Sequence, residues 1–336
     1  MLRFMAMVSG VSVLAGCLVI PALAQSDEVH LTPRAAKLPD AVAVSDAGGV
    51  ADPELRTHTK PLKKEVDLVL VPVTVTDPAT RVVAGLEKDR FVLIENGQPQ
   101  QIRTFSTEDA PISLGVIFDL SGSMADKIDQ SRQAVLDFFR TANTEDEFFL
   151  VAFSDHPQVL VNFTSSIEEI QGRLGNAIPS GTTSLLDAIY LGIDRMRLAH
   201  NERKALLIIS DGGDNHSRYN EAEIEDMVRE ADVQIYAIGL FNFHGKTQEE
   251  LHGPELLAGI TGATGGQTFF IQSPRDLPEV ATKIGMELRN QYLLGYRPAN
   301  PAHDGKWRKI KVKVNPPTGV PPLHVYAKTG YYAAAQ

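Results

Sequence analysis

The chain has 336 residues, 43% of them hydrophobic, and a net charge of −10. That is enough for one large domain or two moderate ones around a packed core. With no long basic block it is not built for nucleic acid, because phosphate neutralisation needs clustered Lys and Arg. A single cysteine, Cys17, excludes an intramolecular disulfide and cysteine-based metal clusters, so stability must come from the core.

In chain order, residues 1–25 read as an export signal. Arg3 supplies the positive start, an apolar run follows from Phe4, and Ala22-Leu23-Ala24 before Gln25 is a small-x-small cleavage site. A second reading competes: Leu14-Ala15-Gly16-Cys17 resembles a bacterial lipobox, which would lipidate Cys17 and make it the only tie to a membrane. The apolar Leu18, Val19 and Ile20 weigh against it. Pro21 and the shortness of the run weigh against a permanent span. Either way the expected location is exported: secreted, periplasmic or in the cell envelope. Residues 26–63 mix Asp, Pro, Ala and Thr without apolar period and read as a flexible leader. No internal repeat is visible.

From Val66 the pattern becomes regular. Residues 66–77 alternate as a strand, Phe91 to Glu95 form a second, and Asn96-Gly97 is a hairpin signal. Gln101 to Phe105 follow as a third strand. Ile112 to Phe118 are continuously apolar, the mark of a strand buried on both faces. Then come a helix at 126–140, strands at 148–153 and 159–163 that pair antiparallel, and helices at 167–174 and 185–198. A buried strand at 204–210 precedes a helix at 221–231, a strand at 233–238 and a helix at 254–262. A strand at 266–271 and a helix at 276–289 complete the alternation. Strands at 291–296, 307–314 and 323–327 close the chain.

This order predicts an α/β class fold: a doubly wound, mostly parallel sheet over residues 111–290. The β segments 64–110 and 291–332 are expected to join in one small flanking domain, because short hairpins are marginal alone. Lys309, Lys311 and Lys313 alternate with apolar residues and read as the solvated side of a strand, where lysine also discourages edge pairing.

The chemistry concentrates at predicted strand ends. The strand from Ile112 stops at Asp119, and Ser121 and Ser123 follow at alternate positions around Gly122. One carboxylate and two hydroxyls form a set of hard oxygen ligands, and Gly122 removes a Cβ where the loop would bend around an ion. Asp211 stands at the end of another buried strand.

The Asp-x-Ser-x-Ser pattern resembles the metal-ion-dependent adhesion site of the von Willebrand factor type A domain. That family completes its site with a threonine ahead of a helix and an aspartate at a later strand end. Gly181-Thr182-Thr183-Ser184-Leu185 is similar to the family's Gly-Gly-Thr-x-Leu, and Ser210-Asp211-Gly212 fits the last loop. The resemblance therefore implies a metal set of Asp119, Ser121, Ser123, Thr183 and Asp211. Thr182 replaces the second glycine and stays open as the alternative ligand. The same hydroxyls also suit a helix N-cap. The implied cofactor is Mg²⁺, with Mn²⁺ or Ca²⁺ as alternatives. The serines and threonine would bind directly or through water, and the aspartates often through water. The implied partner is a protein that presents an Asp or Glu carboxylate to the ion. In some members the last helix shifts on ligation; here that helix, 276–289, leads into the C-terminal strands. From Val66 to Tyr332 the chain resembles an exported bacterial family described as von Willebrand factor A-related.

Other readings carry less. Asp214, Asn215 and His216 either rim the site or form an ordinary polar loop. His244 and His252 lack zinc spacing and read as surface residues. Gly262, Gly265 and Gly266 precede a strand rather than follow one, so a dinucleotide loop fails its context. No Gly-x-Ser-x-Gly elbow and no His-Glu-x-x-His helix occurs. The expectation is a binding module and not an enzyme. A metal-dependent hydrolase, or an envelope protein whose metal only stabilises the fold, are the alternatives.

Overall fold

The computed structural model describes residues 68–211, 213–240 and 248–333. Residues 1–25 and 26–63, read above as an export signal and a flexible leader, lie outside the described residues, as do His244 and Gly212. Among the described residues no helix is long and apolar enough to cross a membrane.

The centre is a six-stranded sheet. Its strands are β5 (Ile112–Asp119), β6 (Glu147–Phe153), β7 (Pro157–Thr164), β8 (Arg203–Ser210), β9 (Gln234–Leu240) and β10 (Thr268–Ile271). They lie in the order β10-β9-β8-β5-β6-β7. All neighbours are parallel except β6 and β7, which are antiparallel as their short connection requires. The chain leaves β5 toward β6 and β7, then returns to place β8 on the other side of β5. The reversal in strand order therefore falls between β5 and β8, and clefts form outside the carboxyl ends of strands at such a point.

The continuous apolar run of β5 has a direct cause: every residue of the strand is buried. Leu114, Val116 and Phe118 face α1 (Ile128–Phe139) and α6 (Leu277–Arg289), together with Ile170 and Leu174 of α2 (Ile167–Gly175). Ile117 faces the other way, into α3 (Leu185–Met196), α4 (Glu221–Glu230) and α5 (Gln248–Thr264). Gly115 belongs on that second face because a Cβ there would stand 2.3 Å from Phe149 Cζ and 2.5 Å from Leu206 Cδ2. Burying each large side chain in these layers contributes about 1.5–3 kcal/mol. The foot of β5 is pinned by charge. Asp146 accepts the Ile112 N–H at 2.8 Å and pairs with Arg289 at 2.6 Å.

The remaining strands form two antiparallel sheets. One is ordered β13-β1-β11-β4, from β13 (His324–Ala327), β1 (Val69–Thr76), β11 (Tyr292–Tyr296) and β4 (Ile102–Ser106). The other is ordered β14-β12-β2-β3, from β14 (Gly330–Tyr332), β12 (Trp307–Val314), β2 (Phe91–Glu95) and β3 (Gln98–Gln100). Val71, Val73, Leu93, Tyr292, Leu294 and Ile310 from both sheets share one apolar core. The N- and C-terminal segments thus come together as expected, as two sheets over a common core.

Several details correct the sequence reading. The partner of β2 across Asn96-Gly97 is Gln98–Gln100, not Gln101 to Phe105, which instead crosses into the other sheet as β4. Pro99 hid β3, and it is tolerated because β3 is an edge strand. Asn96 and Gly97 both have positive φ, 47° and 85°, as a two-residue turn of this kind demands. Helix α5 begins at Gln248, so Pro254 lies inside it rather than at its start. The lysines of β12 are exposed as read, but β12 lies between β14 and β2 and is not an edge. Gly265, with φ +82°, follows the last residue of α5 in the left-handed conformation that suits a helix terminus. His252 is exposed, as expected of a surface residue.

Candidate metal centre

Strand β5 delivers Asp119 to the sheet's carboxyl edge fully buried. Its two oxygens are both used. Oδ1 accepts the Ser121 N–H at 2.8 Å, and Oδ2 accepts the Ser210 hydroxyl at 2.6 Å. Burial, and secondly the charge of Asp211, push the Asp119 carboxyl up to about 6, against the downward pull of its hydrogen bonds from Ser121 and Ser210.

The loop after Asp119 turns back through a short 3-10 turn, Gly122–Met124. This brings the Ser121 and Ser123 hydroxyl oxygens to 3.1 Å. Ser123 Oγ donates to Asp211 Oδ1 at 2.8 Å. Asp211 is 7% exposed and follows β8 directly. Its other oxygen, Oδ2, receives the Lys127 ammonium, which also donates to the Ser123 carbonyl at 2.9 Å. Four of the five candidate residues are therefore joined in one hydrogen-bonded chain from Ser210 through Asp119, Ser121 and Ser123 to Asp211.

The fifth, Thr183, lies in the adjoining loop. The Gly122 N–H donates to the Gly181 carbonyl at 3.1 Å, and the Ser180 N–H to the Leu120 carbonyl at 2.7 Å. These bonds tie the threonine loop to the serine loop. Thr183 is buried, its N–H donates to Asn215 Oδ1 at 2.9 Å, and its carbonyl accepts the Asn215 and His216 N–H groups. Among the described residues no hydrogen bond links its hydroxyl to the serines. Thr182 is exposed and turned to Asp155, donating its N–H at 2.8 Å and its hydroxyl at 2.6 Å.

The glycine that shapes this site is not the expected one. Gly122 has no positive φ, and a Cβ on it would meet the Gly181 carbonyl at an ordinary 3.5 Å. Gly181 has φ +83°, and a Cβ there would stand 2.6 Å from Asp155 Oδ1. The cap of α3 also differs from the expectation. Ser184 makes no side-chain cap and donates its hydroxyl to the Ser154 carbonyl. Asp214 Oδ1 and Ser217 Oγ instead accept the Leu186 and Asp187 N–H groups, at 3.2 and 3.0 Å. Asp214 and Asn215 thus hold the threonine loop and helix in place, the structural side of the alternatives left open for them. His216 is exposed, its ring 5.8 Å from that of His156.

Sequence reasoning missed Lys127, Ser210 and Asp155. Ser210 stood inside the quoted Ser-Asp-Gly without a role. Lys127 had only its spacing, four residues beyond Ser123, which puts the two near one another at the start of a helix.

The donor set suits a hard cation. Among the described residues no cluster of three His, Cys, Asp or Glu side chains is placed to hold a metal; this cluster has two carboxylates and otherwise hydroxyls. Octahedral bonds of roughly 2.1 Å put adjacent ligand oxygens about 3 Å apart, close to the 3.1 Å between Ser121 and Ser123 Oγ. The cluster already draws a cation, the Lys127 ammonium, onto Asp211.

Residues 115–213 match the family model of the von Willebrand factor type A domain. A curated relative, the inter-alpha-trypsin inhibitor heavy chain H4 of Sus scrofa, is 27% identical over 154 residues, covering 42% of this chain and 16% of that one. Among solved structures, a von Willebrand factor type A protein from Catenulispora acidiphila is similar with a TM-score of 0.47 at 13% identity, covering 80% of this chain and 74% of that one. The PilB minor pilin from Streptococcus sanguinis gives 0.46 at 16% identity, covering 55% of this chain and 63% of that one. The chain spans less than two thirds of the pilin chain and a sixth or so of the curated relative. With the sheet order, the strand-end loops and the family match agreeing, the chain carries a von Willebrand factor type A domain.

Proposed function

We propose that this is an exported, non-enzymatic adhesion module that captures an acidic residue of a partner protein through a divalent ion. Ser121, Ser123 and Thr183 would hold the ion directly or through water, with Asp119 and Asp211 close behind. The observation that carries the reading is the convergence of the Ser121, Ser123 and Asp211 oxygens at 2.8–3.1 Å beyond the carboxyl ends of β5 and β8. Thr183 is favoured over Thr182 because the Thr182 hydroxyl is engaged by Asp155. Mg²⁺ suits the few direct carboxylates, with Mn²⁺ as its natural substitute and Ca²⁺ less apt. A bound ion of this kind supplies a Lewis-acidic coordination position for one outside carboxylate.

What the chain itself contributes is positioning and charge. Asp119 orients the serine loop through the Ser121 N–H and is locked by Ser210. With both its oxygens committed it is poorly placed as a general base, which weighs against the hydrolase alternative. Because metal binding needs Asp119 ionised and its pKa lies at about 6, affinity should fall as pH drops through that value, by roughly tenfold per unit. Helix α6 packs against α1, which begins just beyond the serine loop, and leads straight into β11. That path supports coupling of ligation to the flanking sheets, and unchanged hydrogen exchange in α6 on ligand binding would dismiss it.

The direct test is an array of short peptides carrying Asp or Glu, with Asn and Gln counterparts, probed in Mg²⁺, in chelator and with Asp119→Ala. The expected result is capture of acidic peptides in Mg²⁺ alone, lost in the folded variant. Capture that ignores chelator and variant would refute the adhesion reading.

A further inference from the structure

We infer that Lys127 is a tethered competitor of the metal: its ammonium neutralises Asp211 in the ion-free protein and must leave that carboxylate when a divalent ion arrives. The inference deepens the metal reading above and rests on it.

The geometry is specific. Lys127 stands at the N-cap of α1, where its backbone N–H donates to the Met124 carbonyl at 2.9 Å. Its carbonyl accepts the Ser131 N–H at 3.0 Å and the Ser131 hydroxyl at 2.9 Å, so the base of the side chain is fixed. The side chain is 19% exposed and the Asp211 side chain 1% exposed. The ammonium bonds Asp211 Oδ2 and the Ser123 carbonyl, while Asp211 Oδ1 accepts from Ser123 Oγ. One carboxylate therefore faces the hydroxyl cluster with one oxygen and the lysine with the other.

Two physical consequences follow. A carboxylate this buried is costly without a counter-charge, and the cost is raised by Asp119 close behind it. Lys127 supplies that counter-charge when no ion is present. A divalent ion ligated by the same cluster would sit within a few ångströms of the ammonium, where like charges in a partly buried site repel strongly. The lysine therefore holds the empty loops in shape and weakens the affinity of the filled ones. Its four-carbon stem lets the head swing to water once displaced, which a short or rigid cation would not allow.

The test titrates Mg²⁺ calorimetrically into wild type, Lys127→Met and Lys127→Arg, and follows thermal unfolding of each in chelator. Methionine keeps much of the stem and removes the charge. Lys127→Met should bind Mg²⁺ at least tenfold more tightly than wild type and melt lower in chelator, while Lys127→Arg should stay near wild type in both. Binding by Lys127→Met alone would overturn the inference, because the lysine would then block the ion instead of yielding to it. If wild type binds and Lys127→Met binds no more tightly, the competitor role is wrong and the metal reading stands. If no form binds, both fall. Should Lys127→Met fail to fold, lysine-selective ¹⁵N spectra of wild type decide: the protected Lys127 ammonium signal must vanish as Mg²⁺ binds, and its persistence in the loaded protein overturns the inference.

Discussion

The six-stranded sheet and the two flanking sheets bury their strands in opposite ways. In the first, β5, β6, β8 and β9 are covered on both faces by helices, so polar side chains find little room along them and gather at the strand ends. Asp119 and Asp211 are placed by that exclusion. In the second, strands such as β2 alternate between buried and half-buried positions, and polar groups enter the core itself. There Glu95, 3% exposed, accepts from the Tyr296 hydroxyl at 2.5 Å and the Tyr331 hydroxyl at 3.1 Å. The flanking sheets also join distant segments: Val71 pairs with Leu294, and Val312 with Leu93. One region concentrates chemistry at an edge; the other fastens the two ends of the described chain across it.

The contrast can be broken first at its apolar extreme. Phe118→Ala, in the middle of the doubly covered sheet, should cost about 3–5 kcal/mol of stability, measured by urea unfolding. A loss below 1 kcal/mol would mean that the two-faced burial matters little. Next comes Glu287 on α6, fully buried, with Oε2 accepting from Gln267 at 3.0 Å and Oε1 lacking a hydrogen-bond partner. Burial raises its carboxyl from an ordinary 4.5 to about 7, despite Lys283. Between these values the folded protein holds a proton that the unfolded chain has lost, so stability declines as pH rises through the window. Glu287→Gln should flatten that decline and gain up to about 3 kcal/mol at pH 8. An unchanged pH profile would show that Glu287 does not titrate in this range.

Smaller effects separate the two regions more finely. Tyr296→Phe removes a donor from buried Glu95 and should cost about 1–3 kcal/mol, while Mg²⁺ affinity stays as in wild type; a changed affinity would show that the flanking core shapes the site. Asn220→Ala removes the capping box at the start of α4, in which the Asn220 side chain and Glu223 serve each other's backbone N–H. It should cost about 1 kcal/mol without affecting either core.

The same contrast governs what could be read from the sequence. Buried parallel strands are local signals, since 112–118 and 204–210 announce themselves as apolar runs between turns. The ends of such strands were legible too, and Asp119, Ser121, Ser123 and Asp211 do converge. The flanking sheets were harder because their pairing is non-local. Gln98–Gln100 and Gly330–Tyr332 have no apolar period; only β2 and β12 make them strands. At the site, Lys127 was invisible because a lysine beside an aspartate 84 positions away carries no sequence signature. Gly181, rather than Gly122, is the position that favours glycine, because its φ of +83° is left-handed, and no local pattern in the sequence marks that angle.

The central claim is that these strand-end loops hold one divalent ion. Electron paramagnetic resonance of Mn²⁺ added to chelator-stripped protein tests it most directly, beside a Ser121→Ala/Ser123→Ala variant that leaves the Asp119 and Asp211 carboxylates in place. The account expects one bound Mn²⁺ per chain in wild type, displaced by excess Mg²⁺, and none in the variant at the same concentrations. Free Mn²⁺ alone in wild type, or equal binding by the variant, would contradict it.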